Sequence, residues 1–287
     1  MDTQPRIDRP RAMTISGSDS SAGSGIQADL KTFAALGVYG TSVVTAVTAQ
    51  NTLEVAAIAE VPEEVVIAQI DTVFEDIGAT VVKTGMLSGK TIIQNVADRL
   101  EAWGPQWLVV DPVLMSRGGV ALLQRDAMGA FKRDLLPHVS LLTPGIAEAQ
   151  ILTGTTIASR DDLEQAARTM HALGPRMILI TGFQDETGPC DMLFDGESFE
   201  RSSRGPVPAP FDHGLSDTRS AAITAFLAHG LAPRAAIEHA ERYIQAALRD
   251  AFVIGDGHSP ANHATPASAG VLEAALATIP RQAHSLA

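Results

Sequence analysis

The sequence holds a single cysteine, Cys190, so an internal disulfide framework is excluded and a reducing compartment is the expectation. It has no cluster of lysines and arginines, and 33 acidic against 21 basic residues leave a net charge of −12. Nucleic acid and anionic membrane surfaces are therefore not expected as partners. No apolar run reaches the roughly 18 residues of a membrane span. The polar start MDTQPRIDRPR has no apolar stretch behind it that would make a secretory leader. A G-x-S-x-G elbow is absent, and so are G-x-x-x-x-G-K-[ST] and a properly spaced G-x-G-x-x-G. A serine hydrolase of the elbow type, a P-loop NTPase and a standard dinucleotide fold are thus not expected. His258 and His263 in GHSPANH have no cysteine near them and read as structural or solvated histidines, not a zinc site. There is no internal repeat. What these absences leave is the expectation of a soluble, intracellular, globular protein.

What is present is a chain of 287 residues, 45% of them hydrophobic, enough to bury a substantial core. Short apolar runs at residues 12–16, 42–49, 81–84, 107–111, 140–142 and 177–181 predict strands. Amphipathic stretches at 26–36, 63–77, 91–103, 125–135, 161–173, 217–229 and 234–251 predict helices between and after them. That alternation predicts an α/β protein with a mostly parallel sheet covered by helices on both faces. Residues 191–194 and 198–201, joined through DGE, predict a hairpin. The expected organisation is a flexible N-terminal tail over 1–11, one domain over 12–270 and a C-terminal segment over 271–287. The Pro-rich stretch GPVPAPFDHG is too short to link two domains.

In an open α/β sheet, ligands bind beyond the carboxyl ends of the strands. Five polar or glycine-bearing clusters fall there: SGSDSSAGSG, AQNT, KTGML, DPVLMSRGG and TPGIAE. Five in succession point to one shared pocket rim. Asp111 and Glu148 end or follow strands and are candidates for Mg²⁺, with waters and phosphates completing its shell. Their plainer roles are a turn cap before Pro112 and a solvated helix face. Gln50 offers one acceptor and two donors in a plane, suited to a heterocycle edge with adjacent N and NH₂ groups, or else to satisfying loop backbone. Met86 can lie flat against an aromatic ring or simply fill core. HGLSDTRSAAITAF, residues 213–226, runs a glycine turn into a small-residue helix. The first N–H groups of such a helix lack partners within it and form a natural anion site. Asp217 stands at that junction as either an N-cap or a catalytic base.

The stretch TISGSDSSAGSGIQADLKTFAALGVYGTSVVTAVTAQNT closely resembles the N-terminal region of the hydroxymethylpyrimidine/phosphomethylpyrimidine kinases of thiamine biosynthesis, members of the ribokinase-like superfamily. The likeness continues through VVKTGML, VVDPVLMSRGG, LLPHVSLLTPGIAEAQILTG, CDMLFDG and IGDGHSPANH, over residues 12–263. The resemblance implies one three-layer α/β/α ribokinase-like domain that forms a homodimer. It further implies transfer of the γ-phosphoryl group of ATP to 4-amino-5-hydroxymethyl-2-methylpyrimidine and then to its monophosphate. By the same resemblance, Gln50 reads the aminopyrimidine edge, while Gly17, Asp29, Met86 and Val113 line the substrate pocket. Asp111 and Glu148 stand near Mg²⁺ and the phosphates. Gly214, Leu215 and Ser216 belong to the anion hole, and Arg117, Thr181 and Gly182 to the ATP side.

The departures from the family pattern gather at the phosphate end. Where the family has H-G-T-G-C, this chain has His213, Gly214, Leu215, Ser216 and Asp217, which puts an aspartate at the base position. The wider superfamily, pyridoxal kinases included, also uses aspartate there, and a carboxylate can accept the hydroxyl proton. If position 216 needs a positive φ, serine there costs about 1 kcal/mol or more and crowds the γ-phosphate. T-P-N becomes Thr143-Pro144-Gly145, the usual lysine of the fourth cluster becomes Arg117, and K-G-G becomes Thr181-Gly182-Phe183. Two alternatives therefore stand beside the pyrimidine kinase: a pyrimidine-binding sensor with a degenerate anion hole, and a pyridoxal or pyridoxine kinase.

Overall fold

The computed structural model describes residues 9–115, 119 and 121–279. The chain opens with β1 (Arg11–Asp19), α1 (Gly25–Ala35) and β2 (Tyr39–Gln50). Next come β3 (Val55–Glu60), α2 (Glu63–Asp76), β4 (Val81–Thr84), α3 (Lys90–Trp103) and β5 (Trp107–Val110). The expected helix at 125–135 is instead a broken run: a 3-10 turn (Arg125–Ala127), α4 (Met128–Ala130), a π turn (Phe131–Leu135) and a second 3-10 turn (Leu136–His138). Gly129 weakens the middle of this run, and Pro137 has no N–H with which to continue an α-helix. Then follow β6 (Leu141–Leu142), α5 (Ile146–Thr153), α6 (Arg160–His171), β7 (Met177–Asp185), β8 (Gly188–Phe194) and β9 (Phe199–Ser203). The chain ends in α7 (Leu215–Ala228), α8 (Pro233–Arg249) and α9 (Ser268–Leu276).

All nine strands form one sheet in the order β3-β2-β1-β4-β5-β6-β7-β8-β9. The six strands from β2 to β7 are parallel, and β3, β8 and β9 extend the two edges antiparallel. Period-two alternation divides the core between the two faces. Val82, Val110, Leu142 and Ile178 face the layer of α2, α3, α5 and α6. Their chain neighbours Val81, Val109, Leu141 and Leu179 face α1, α7 and α8. The three-layer α/β/α architecture is thus the one expected. The hairpin of β8 and β9 is also where the sequence placed it. It turns on Asp195, whose Oδ1 accepts the N–H groups of Glu197 (3.0 Å) and Ser198 (2.7 Å).

Three elements escape the sequence pattern. In β3 the run VAAIAE is almost wholly exposed, so it carries no alternation to read. In α5 the helix is only eight residues long and starts from Gly145, without a Ser, Thr or Asp cap. In α9 the helix runs across residue 270, and Leu272 packs against the core, so the fold does not stop at that boundary.

Candidate active site

The chain passes from β1 outward to β2 and β3, then returns past β1 to β4, so the carboxyl ends of β1 and β4 diverge at a topological switch point. A cavity of about 980 Å³ opens there. Of the residues expected in the site, Gly17, Gln50, Met86, Val113, Gly214, Leu215, Ser216 and Asp217 all line it.

One end of the cavity is built around Met86. Ser16 Oγ accepts the Met86 N–H at 3.1 Å, and Thr45 Oγ1 donates to the Met86 carbonyl at 2.6 Å. These bonds tie the ends of β1, β2 and β4 to one another. A Cβ on Gly17 would lie 2.4 Å from Met86 Cε, so the thioether keeps its place only over a glycine. Gln50 is held by its backbone: Ser20 Oγ accepts its N–H and donates to its carbonyl, both at 2.8 Å.

Another part of the wall is the turn into α7. Gly214 takes φ 63°, and a Cβ there would lie 2.0 Å from the Gly23 carbonyl oxygen. This close approach brings the β1–α1 loop against the start of α7. Asp19 fastens the two: His213 Nε2 lies 3.0 Å from its Oδ2, which also accepts the N–H groups of Gly23 (3.1 Å) and Ser24 (2.9 Å). Burial alone would raise the Asp19 carboxyl, but hydrogen bonds from His213, Ser21 and Ser24 outweigh it and hold the group well below the usual range.

Ser216 corrects an expectation. The left-handed residue is Gly214, two positions earlier, while Ser216 lies inside α7 with helical backbone. Among the described residues, the non-glycines with positive φ are Ala22 and Ser88. No backbone strain falls on Ser216, because the turn is completed before the helix reaches it.

Beneath the cavity floor lies a set of buried charges. Lys83, in the middle of the short strand β4, is fully buried, with Nζ 2.6 Å from Asp29 Oδ1 and 3.1 Å from Asp217 Oδ1. Thr14 Oγ1 donates to the other Asp29 oxygen at 2.6 Å. Burial would depress the Lys83 ammonium, but Asp29, Asp217 and Asp111 push it well above its ordinary value. Burial pushes the Asp29 carboxyl up to about 6, against the opposing pull of Lys83. Asp29 thus does not line the cavity as expected: it is fully buried and holds Lys83 from behind.

Asp111 and Glu148 stand beside this group. Burial, then Glu148, then Asp217 raise the Asp111 carboxyl well above its ordinary value. Asp111 Oδ1 is buried without a hydrogen-bond partner, while Oδ2 lies 3.4 Å from Ser220 Oγ, and the Ser216 side chain also helps to hold the carboxyl. Glu148 is pushed up to about 7 by burial, although its Oε2 accepts the Gly145 N–H at 2.9 Å. An orphaned carboxylate oxygen and two mutually repelling acids suit a divalent cation that takes two carboxylates and completes its shell with water and phosphate. Among the described residues no group of three or more His, Cys, Asp or Glu side chains is placed to hold a metal ion, so such a cation would depend on those outside ligands. His258 and His263 do not converge: the first pairs with Asp212 (2.7 Å) and the second with Thr218 (3.0 Å).

Thr181 and Gly182, at the register shift in the middle of β7, adjoin the Thr143–Gly145 segment through a bridge between Gly145 and Thr181 but do not line the cavity. Arg117 lies outside the described residues. Four residues not singled out by the sequence prove central: Lys83, Asp19, His213 and Arg204. The signal for Lys83 was a lone lysine in the apolar strand VVKT, since a buried lysine requires paired charge.

The comparisons match this geometry. The family model for phosphomethylpyrimidine kinase matches residues 19–262. The chain is 44% identical over 256 residues to the thiamine biosynthesis bifunctional protein of Geobacter sulfurreducens, covering 89% of this chain but only 52% of that one. It is 42% identical over 261 residues to the hydroxymethylpyrimidine/phosphomethylpyrimidine kinase of Mycobacterium bovis, covering 89% and 94%. The structure of Staphylococcus aureus pyridoxal kinase, in complex with AMP-PCP and pyridoxal, superposes with a TM-score of 0.82 at 31% identity, covering 91% and 95%. With the pocket at the β1–β4 switch point and the glycine turn into α7 in place, the chain belongs to the phosphomethylpyrimidine kinase family.

Proposed function

We propose that this protein transfers the γ-phosphoryl group of ATP to the hydroxymethyl oxygen of 4-amino-5-hydroxymethyl-2-methylpyrimidine, and then a second group to the resulting monophosphate. The observation that carries the proposal is Asp217, set in the first turn of α7 at the cavity wall with its Oδ1 held by Lys83. In the first transfer a bond forms between the substrate oxygen and the γ-phosphorus while the bond to the β-bridging oxygen breaks. The hydroxyl proton passes to Asp217. The N–H groups of Gly214 to Asp217 point at the transferring group from the positive end of the helix dipole. Gln50 orients the aminopyrimidine edge, and Gly17, Met86 and Val113 frame the ring. Asp111 and Glu148 are the residues that would hold Mg²⁺, which when bound supplies charge neutralisation at the phosphates.

The unstrained backbone at Ser216 supports a working anion hole over a degenerate one. A pyridoxal substrate remains the second reading, favoured by the overlay on a pyridoxal kinase. Among the described residues no helix is long and apolar enough to cross a membrane, which fits work in the cytoplasm. Exposed Leu53, Val47 and Ile58 around the β2–β3 edge support a homodimer.

The test is incubation with Mg-ATP and the hydroxymethylpyrimidine, with pyridoxal as competitor and both phosphorylated pyrimidines as the readout. Tight calorimetric binding of the pyrimidine without turnover would establish the sensor instead. Preferential consumption of pyridoxal would establish the second reading.

A further inference from the structure

Arg204 follows β9 at the point where the chain leaves the sheet for α7. Its backbone N–H donates to the Pro189 carbonyl at 2.9 Å, which fixes its place against β8. Its side chain is only 14% exposed and lies on the wall of the main cavity, which it shares with Gly214 to Asp217. The guanidinium also lies over the middle of β7, at its register shift: Nη1 is 3.2 Å from where a Cβ on Gly182 would stand. That part of the strand is joined to the Gly145–Glu148 corner by the Thr181 N–H, which donates to the Pro144 carbonyl at 2.9 Å.

The charge around Arg204 is unevenly shared. Asp191 is the carboxylate next to it, at 3.8 Å, too long for a hydrogen bond. Asp191 is already engaged: Arg219 Nη1 reaches it at 3.0 Å, and the Gly182 N–H donates to it at 2.9 Å. Arg219 in turn has Glu241 at 2.6 Å. Arg204 is thus left with the remainder of a shared carboxylate, and its Nε is buried without a hydrogen-bond partner. A guanidinium carries five donors in a rigid fork. Leaving the Nε donor unused away from water costs free energy that an anionic ligand would recover. Meanwhile Thr181 brings no charge to the stretch of β7 that Arg204 covers.

We propose that Arg204 is the cation that receives the polyphosphate of the nucleotide at the cavity wall it shares with the start of α7. The inference rests on the kinase reading and adds to it a residue that positions the phosphoryl donor, not the acceptor. The nucleotide is recognised as a polyphosphate, so the contact distinguishes ATP from adenosine.

The experiment measures Mg-AMP-PCP, adenosine and hydroxymethylpyrimidine binding by calorimetry to the wild type, Arg204→Gln and Arg204→Lys, alongside KM values and melting temperatures. Losing charge-assisted hydrogen bonds predicts about 10- to 100-fold weaker AMP-PCP binding in Arg204→Gln and a matching rise in KM for ATP. Adenosine and pyrimidine affinities should stay within about twofold, and Arg204→Lys should recover part of the loss because it restores charge without the fork. Unchanged AMP-PCP affinity in Arg204→Gln would overturn the proposal. So would an equal loss for adenosine, or weakening of every ligand together with a lower melting temperature, which would mark a purely structural role. Because binding is read directly, a wild type that binds AMP-PCP without turnover would sink the kinase reading and still decide the role of Arg204. A wild type that does not bind the nucleotide would sink both.

Discussion

The ammonium of Lys83 lies 3.1 Å from Asp217, so the carboxylate at the start of α7 is held by a charge rooted in the middle of the sheet. The same ammonium is 2.6 Å from Asp29, which takes a further hydrogen bond from Thr14. β1, α1, β4 and α7 thus meet at one buried cation, and the orientation of Asp217 is a property of the whole sheet end.

Removing that cation leaves buried carboxylates without a partner. Lys83→Met is expected to lower the free energy of unfolding by about 3–5 kcal/mol, the usual cost of breaking a buried ion pair from one side. Adding Asp29→Asn should return part of the loss, since one uncompensated charge is then gone. Denaturant titration of the two variants checks both statements. A loss under about 1 kcal/mol in Lys83→Met would mean that the acids are neutral without it.

The sheet was legible because its central strands are short apolar runs that end in polar clusters, and those clusters mark the rim. Gly17 and Met86 could be named because each sits inside such a cluster, and Asp217 because a glycine turn runs into a small-residue helix there. The role of Lys83 is not legible in the cluster KTGML, because nothing along the sequence shows that three acids from distant segments converge on it. Arg204 was harder still: it follows a β-hairpin and precedes a proline-rich stretch, and its position depends on how that irregular backbone packs. The strain that serine would carry at position 216 depended on a positive φ there, and the positive φ falls on Gly214. A sequence shows that a glycine turn is present but not which position is left-handed.

Gly214 and Ser216 should therefore respond very differently to substitution. Gly214→Ala forces a side chain into a left-handed position 2.0 Å from the Gly23 carbonyl, a backbone contact with no flexible end to yield. Its expected effect is a loss of at least about 1–3 kcal/mol with a large fall in activity. Ser216→Gly relieves no strain and should cost about 0.5 kcal/mol from helix propensity. Melting temperatures and turnover for the pair decide the matter. An increase in activity of tenfold or more for Ser216→Gly would show that the hydroxymethyl side chain crowds the phosphate after all.

Acid should loosen the packing of the C-terminal segment on α7 through His263. Its Nε2 lies 3.0 Å from Thr218 Oγ1, whose own hydrogen is given to the Gly214 carbonyl, so the imidazole donates. Burial, then Lys31, lower this histidine to about 4 from an ordinary 6.5. Between those values the unfolded chain binds a proton that the native state does not, so stability rises with pH there and is lost on acidification. The full difference corresponds to about 3 kcal/mol at most. His263→Gln keeps a donor and cannot titrate, so its unfolding free energy should vary less from pH 6.5 to 4 than the wild type does. Identical slopes would remove His263 as the cause.

Asp217 has different work in the two transfers, and that difference can be measured. The first acceptor is a hydroxyl, which must lose a proton as its oxygen attacks. The second is a phosphate oxygen, and with a second pKa near about 6 it is mostly unprotonated at pH 8. Asp217→Asn should then slow phosphorylation of the hydroxymethylpyrimidine by about 10²–10⁴-fold. Phosphorylation of the monophosphate should fall by less than about tenfold, because no base is needed and a repelling charge next to a dianion has been removed. Supplying each acceptor separately, and following its product at saturating ATP, gives the two rates. Equal losses in both would mean that Asp217 acts by anchoring Lys83 and the start of α7, and that the proton leaves by another route.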